Sequence, residues 1–360
     1  MGKIWRAGLL TLALAVAAAA FVPRLAALRA QGIEHFYNLE YGPAIRDFRQ
    51  WTAADPSSSS AWNHLAQAEI YAEMLRIGAL ESQLYGHGDP FLKEKLRPPS
   101  PATLAAIQQA LDHAAADARA AVARNPHDAH ARYNLAVVWA LRANSAFALQ
   151  HAYWTALGDA KQARRQAQMA VTLDPGFIDP QLILGVQSYV AGSLPWAVRM
   201  FSALVGYRGN KEQGRRQIAF VAAHGEGART DASVLLAVAD RRDGLNRQAA
   251  PIFLRLARQY PRNYLFAVEA GEALEAAGEH AAARAQFHKV LAMAAAAAPG
   301  YARAPQGRVW YDLGGIAVVY SDWPRAAHDY RQAAAAPGTP PALRQRALQL
   351  AQAAAQKPRH

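Results

Sequence analysis

A chain of 360 residues, with 52% apolar, 9% aromatic and 18% charged residues, has enough apolar surface to bury a large core, which excludes a disordered polymer. The absence of cysteine excludes disulfides, thiolate metal ligands and a thiol nucleophile. The formal charge of +12 suits anionic lipid, acidic protein or nucleic acid, but Lys and Arg are spread along the chain, as on solvated helix faces.

In chain order, residues 1–20 read as an export signal. Lys3 and Arg6 precede the apolar run Leu9 to Ala20, and Ala18-Ala19-Ala20 offers small residues for cleavage before Phe21. The uncharged stretch from Ala7 to Val22 is shorter than the roughly 20 residues that span a bilayer comfortably, so an uncleaved anchor is the second reading. The expected location is exported, periplasmic or envelope-associated.

From residue 21 to 340 the sequence repeats itself. In a unit starting at Leu25, Gly32, Ala44, Phe48 and Pro56 fall at positions 8, 20, 24 and 32. Further units start at Ser59 (Trp62, Leu65, Ala66), near Ala129 (Leu135, Ala136, Trp139) and near Ile178 (Leu184, Gly185). Another starts at Thr230 (Ala237, Ala249, Phe253, Pro261), one at Tyr264 (Gly271, Ala283, Phe287), and a last one carries Trp310, Gly314, Ala326 and Tyr330. Small residues at positions 8 and 20 let two helices approach, large ones fill the space between them, and proline stops the second helix. About seven units of this kind resemble the tetratricopeptide repeat, whose period is about 34 residues. The resemblance implies an all-α, α-α superhelical solenoid. Inserts are expected near 86–103, 144–158 and 189–210, and residues 341–360 as a capping helix with a basic tail.

The stretch from Gly185 to Ile218 narrows the likeness. Its turn Gly192-Ser193-Leu194-Pro195 leads to Gly206-Tyr207-Arg208-Gly209-Asn210-Lys211-Glu212-Gln213-Gly214. This is similar to the insert of the tetratricopeptide repeat protein 39 and inclusion-body-clearance family and its bacterial relatives, which implies shared architecture.

No catalytic constellation stands out, and no cofactor or metal is expected. His127 and His130 flank an inter-repeat turn with only Asp128 beside them. His280 and His288 lie eight residues apart without a third ligand. Glu69 and Glu73, one helical turn apart, fit solvated or salt-bridged side chains better than an acid–base couple. Gly225-Glu226-Gly227 lacks the rest of a dinucleotide fingerprint.

The expected binding surface is the concave side formed by the first helix of each repeat. It offers Asn63, Gln67, Tyr71, His130 and Tyr133, with Asn134 and Arg142 beside them. An Asn amide can pair with a peptide backbone, and Arg with a carboxylate. Arg29 and Ile33 replace the Lys and Asn that chaperone-tail binders of this class use in the first repeat. The sequence therefore implies a non-catalytic protein- or peptide-binding scaffold of the cell envelope, with no nucleic-acid partner. The other readings are peripheral association with anionic membrane through the basic surface, and an enzyme with a site in the insert loops.

Overall fold

A computed structural model of the chain describes residues 23–80, 97–193 and 209–358. The expected export signal, residues 81–96, which include most of the first insert, and residues 194–208 of the third, with Gly206-Tyr207-Arg208 of the Gly206–Gly214 run, lie outside the described residues. Among the described residues all regular structure is helical. After α1 (residues 23–37) come α2 (Tyr41–Ala54), α3 (Ser59–Ile77), α4 (Pro101–Arg124), α5 (Ala129–Ala148), α6 (Tyr153–Leu173), α7 (Pro180–Ser193) and α8 (Lys211–His224). They are followed by α9 (Arg229–Arg242), α10 (Asn246–Gln259), α11 (Tyr264–Ala276), α12 (His280–Ala295), a 3-10 turn (Tyr301–Arg303), α13 (Gln306–Val319), α14 (Trp323–Ala335) and α15 (Pro341–Ala355). The chain divides into two compact units, with the boundary between Gly214 and Arg215.

Within each unit the helices form antiparallel pairs of the tetratricopeptide type, and the sequence shows why. The first helix of a pair ends in the same turn five times. Glu40, Ala79, Leu245, Glu279 and Asp322 donate their N–H to His35, Met74, Asp240, Leu274 and Ala317, five residues back. Leu39, Gly78, Gly244, Gly278 and Ser321, one residue before each donor, all have positive φ, between 57° and 87°. This is the left-handed helix end in which a six-residue bond closes the last turn. The second helix ends at proline. Asp55, Asn125, Asp174 and Tyr260, each before a proline, leave the helical region with φ between −140° and −124°, as the proline ring demands of its predecessor. Ser58, Asp128 and Asn263 then cap the following helix through their side chains.

Packing follows the small–large pattern. A Cβ built on Gly32 or Gly271 would lie 2.3 or 2.4 Å from a ring carbon of Phe48 or Phe287, and one on Gly314 would lie 2.7 Å from Tyr330. In these three pairs, bare backbone at position 8 lets the aromatic ring at position 24 rest directly on the facing helix. Ala66, Ala136 and Ala237 fill the same position in other pairs and are fully buried. Burying a ring such as Phe287 stabilises its pair by roughly 2–3 kcal/mol. Near the C-terminus, Ala347, Ala351 and Ala354 of α15 pack against α13 and α14.

In the first unit His64 packs between Phe48 and Trp51, at 5.4 Å from each ring centroid. Its Nδ1 meets the Ser60 carbonyl at 2.7 Å. Burial holds this imidazole at a pKa of about 4, with Arg29 adding to the depression and the Ser60 bond opposing it.

Candidate functional site

The first helices of the pairs, α3 and α5 in the first unit and α9, α11 and α13 in the second, carry the residues of interest. Asn63 is buried and donates through Nδ2 to the Asn134 carbonyl at 3.1 Å, while its Oδ1 meets no partner. This amide joins α3 to α5 instead of standing free in a groove, because position 5 of α3 faces the next repeat at close range. Gln67 is half-buried. Tyr71 is half-buried too, with its ring edge-on to Phe36 at 5.3 Å. Tyr133 meets Phe177 edge-on at 5.1 Å, and the exposed His130 lies 4.2 Å from the same ring. Arg142 reaches Asp112 of α4 at 2.5 Å and lies over the Trp139 ring at 5.2 Å. The structure thus brings Asn63 to Asn134 and His130 to Tyr133, and sets Arg142 apart on the α4 seam.

Glu69 and Glu73 serve different partners. Glu69 accepts from Arg49 at 2.9 Å, and burial raises its carboxyl. Glu73 is held low by Arg76 at 2.7–2.8 Å and also accepts the Ser100 N–H at 2.6 Å. His280 and His288 also part company: His280 meets Tyr320 edge-on, while His288 lies 2.8 Å from an Arg325 nitrogen.

The second unit holds a cluster that the sequence reading missed. Arg241, in the last turn of α9, pairs with Glu269 and, at 3.0 Å, with Glu272. Arg308, in the first turn of α13, chelates both oxygens of Asp312 at 2.9 and 3.1 Å and lies 3.8 Å from Glu272. Two guanidinium groups therefore serve three carboxyls on two helices. The fourth carboxyl, Glu275, makes no hydrogen bond or ion pair with any described residue. One of its oxygens lies 3.6 Å from where a Cβ on Gly315 would stand. Burial, reinforced by the charge of Glu272, raises Glu275 to about 7 against the pull of Arg308 and Arg241. Burial likewise drives Asp312 well above the ordinary carboxylate range, opposed by Arg308. Tyr330, pushed up to about 12 mainly by burial, closes one side.

Such a group can hold a proton or pair with an incoming cation, since its neighbouring arginines are already engaged. A signal for it was present in the sequence. Glu272 and Glu275 stand at positions 9 and 12 of the repeat beginning at Tyr264, and Arg308 at position 2 of the next.

No protein-family model matches the chain, and no curated protein is similar to it in sequence. Solved structures match it at low sequence identity. A tetratricopeptide repeat protein from Parabacteroides merdae is 13% identical, with 92% of this chain and 99% of that one covered and a TM-score of 0.32. The thermophilic TPR protein TTC0263 from Thermus thermophilus is 16% identical over 69% and 96% of the two chains, with a TM-score of 0.37. The Cut9–Hcn1 hetero-tetramer of the APC/C gives 12% identity, 92% and 50% coverage and a TM-score of 0.46. The tetratricopeptide assignment rests on the glycine–aromatic packing and the repeated turns of this chain.

Proposed function

We propose that the chain is a non-catalytic scaffold that binds a polypeptide partner along the first-helix side of its repeats, with Glu275 receiving a basic side chain. The supporting observation is the arrangement around that carboxyl. An ion network that engages Glu269, Glu272 and Asp312 leaves one acid, Glu275, without an ion pair to a described residue, half-buried and next to a glycine that leaves space beside it. A lysine or arginine entering there gains a charge-assisted hydrogen bond. In the first unit, Gln67, Tyr71, His130 and Tyr133 supply amide and aromatic contacts on the same side of their helices. An envelope location belongs to the proposal and rests on the sequence of residues 1–20 alone.

An array of random dodecamer peptides tests this reading. The full chain should retain peptides enriched in Lys and Arg over those enriched in Asp and Glu. Glu275→Gln should weaken that retention by about five- to tenfold, the worth of one charge-assisted bond at a partly buried site. Retention should also strengthen as pH rises through about 7, where Glu275 ionises. Equal retention by the variant, or no preference for basic peptides, would overturn the assignment.

A further inference from the structure

The largest exposed ring in the described structure belongs to Trp154, which is 86% accessible at the start of α6. Its surroundings are aromatic as well. Tyr153 is 43% exposed and Phe147, at the end of α5, is 38% exposed. Their rings meet edge-on at 5.5 Å. A ring left in water to this extent gains nothing for the fold, since it covers little of the interior.

Below this tip α6 carries charge of one sign. At 100° per residue, Trp154, Gly158, Lys161 and Arg165 fall within an arc of about 60°, with Arg164 on its flank. All five are exposed. Neither Arg164 nor Arg165 has a hydrogen bond or ion pair to any described residue. The helix has one carboxyl, Asp159, which is half-buried and lies outside the arc. One face thus presents an aromatic end, a glycine without a side chain to hold the surface away, and a row of cations.

We infer that this face of α6, with the Phe147–Tyr153–Trp154 tip, docks on an anionic lipid bilayer. The rings would enter the headgroup boundary and Lys161, Arg164 and Arg165 would meet lipid phosphates. Indole and phenol rings suit that boundary because each has an apolar body and a polar edge. Arginines near a negative surface add attraction that salt weakens. Charge complementarity favours an anionic surface. Phe147 suits the apolar boundary because a phenyl ring has no polar edge to desolvate. The site is independent of the Glu275 region, which lies in the other unit.

The test uses the full chain with vesicles of phosphatidylcholine alone and with about one third phosphatidylglycerol, comparing variants so that any affinity of the apolar N-terminal stretch is common to all. Amide hydrogen exchange is followed over residues 147–165. Anionic vesicles should slow exchange there, and neutral vesicles should do so far less. Trp154→Ala and the double change Arg164→Gln with Arg165→Gln should each raise the lipid concentration for half-maximal protection about tenfold or more. Half-molar salt should mimic the double change. Because all three side chains are exposed, unchanged far-ultraviolet circular dichroism is expected. Protection that is absent on anionic vesicles, that persists in Trp154→Ala, or that appears with single-stranded RNA and not with vesicles would overturn the assignment.

Discussion

Gly314 and Gly315 are neighbours on α13 with opposite roles. A Cβ at Gly314 would collide with the Tyr330 ring, whereas one at Gly315 would meet only a Glu275 oxygen at 3.6 Å and the Tyr330 hydroxyl at 4.0 Å. Overpacking costs about 1–3 kcal/mol, and an alanine in a helix interior recovers up to about 1 kcal/mol relative to glycine. Gly314→Ala should therefore destabilise the second unit by about 1–2 kcal/mol. Gly315→Ala should leave it unchanged or stabilise it by up to about 1 kcal/mol. Urea denaturation of the two variants checks both signs. The same physics explains what the sequence disclosed about single residues. A glycine at position 8 and an aromatic at position 24 are visible as letters, so the Gly32–Phe48, Gly271–Phe287 and Gly314–Tyr330 contacts follow from spacing. The ion network does not follow in that way. The Arg308–Asp312 pair, i and i+4 on α13, is local, but whether Arg308 also reaches Glu272 depends on the distance between α11 and α13, which no local pattern encodes.

Among the elements, the turn that closes the first helix of a pair recurs with unequal residues. Gly244 and Gly278 adopt positive φ freely, whereas Leu39 and Ser321 adopt it with a Cβ in place. For residues other than glycine that conformation costs roughly 1–2 kcal/mol, offset in part by the greater freedom that glycine has when unfolded. Ser321 is exposed. Ser321→Gly should stabilise the second unit by about 0.5–1 kcal/mol, read as a higher urea midpoint with an unchanged slope. These turns also show where sequence reading ends. The proline that stops each second helix is a strong local signal, and it marks its turns correctly at Pro56, Pro126, Pro175 and Pro261. The end of a first helix has no such letter when leucine or serine occupies the left-handed site, and its closing hydrogen bonds become evident only from the backbone. Asn63 illustrates a related gap. Its repeat position suggested a surface free for ligand, but close approach of α3 and α5 turned its amide inward to Asn134.

Across the whole molecule, one buried group in each unit responds to acidity with opposite sign. His64 in the first unit has its folded pKa lowered to about 4 from 6.5. Its neutral packing contributes fully above about 6.5 and is progressively lost as pH falls towards 4. The first unit should lose about 2 kcal/mol through this group between pH 7.5 and pH 5. In the second unit, Glu275 has its folded pKa raised to about 7 from 4.5. The unfolded chain releases that proton first, so the contribution is present below about 4.5 and is lost as pH rises through 7. After allowance for screening at a partly exposed site, the loss is about 1–2 kcal/mol. Exchange-detected unfolding of each unit at pH 5 and pH 7.5 tests this, with His64→Gln and Glu275→Gln each flattening the response of its own unit only. The principal seams in this chain join helices that are next, or next but one, in order along the sequence. A helix pair therefore meets its packing partners within a few dozen further residues, and closing so short a stretch costs little entropy. Assembly can then keep pace with synthesis: the pair closed by Phe48 is able to form before Tyr330 has been added to the chain.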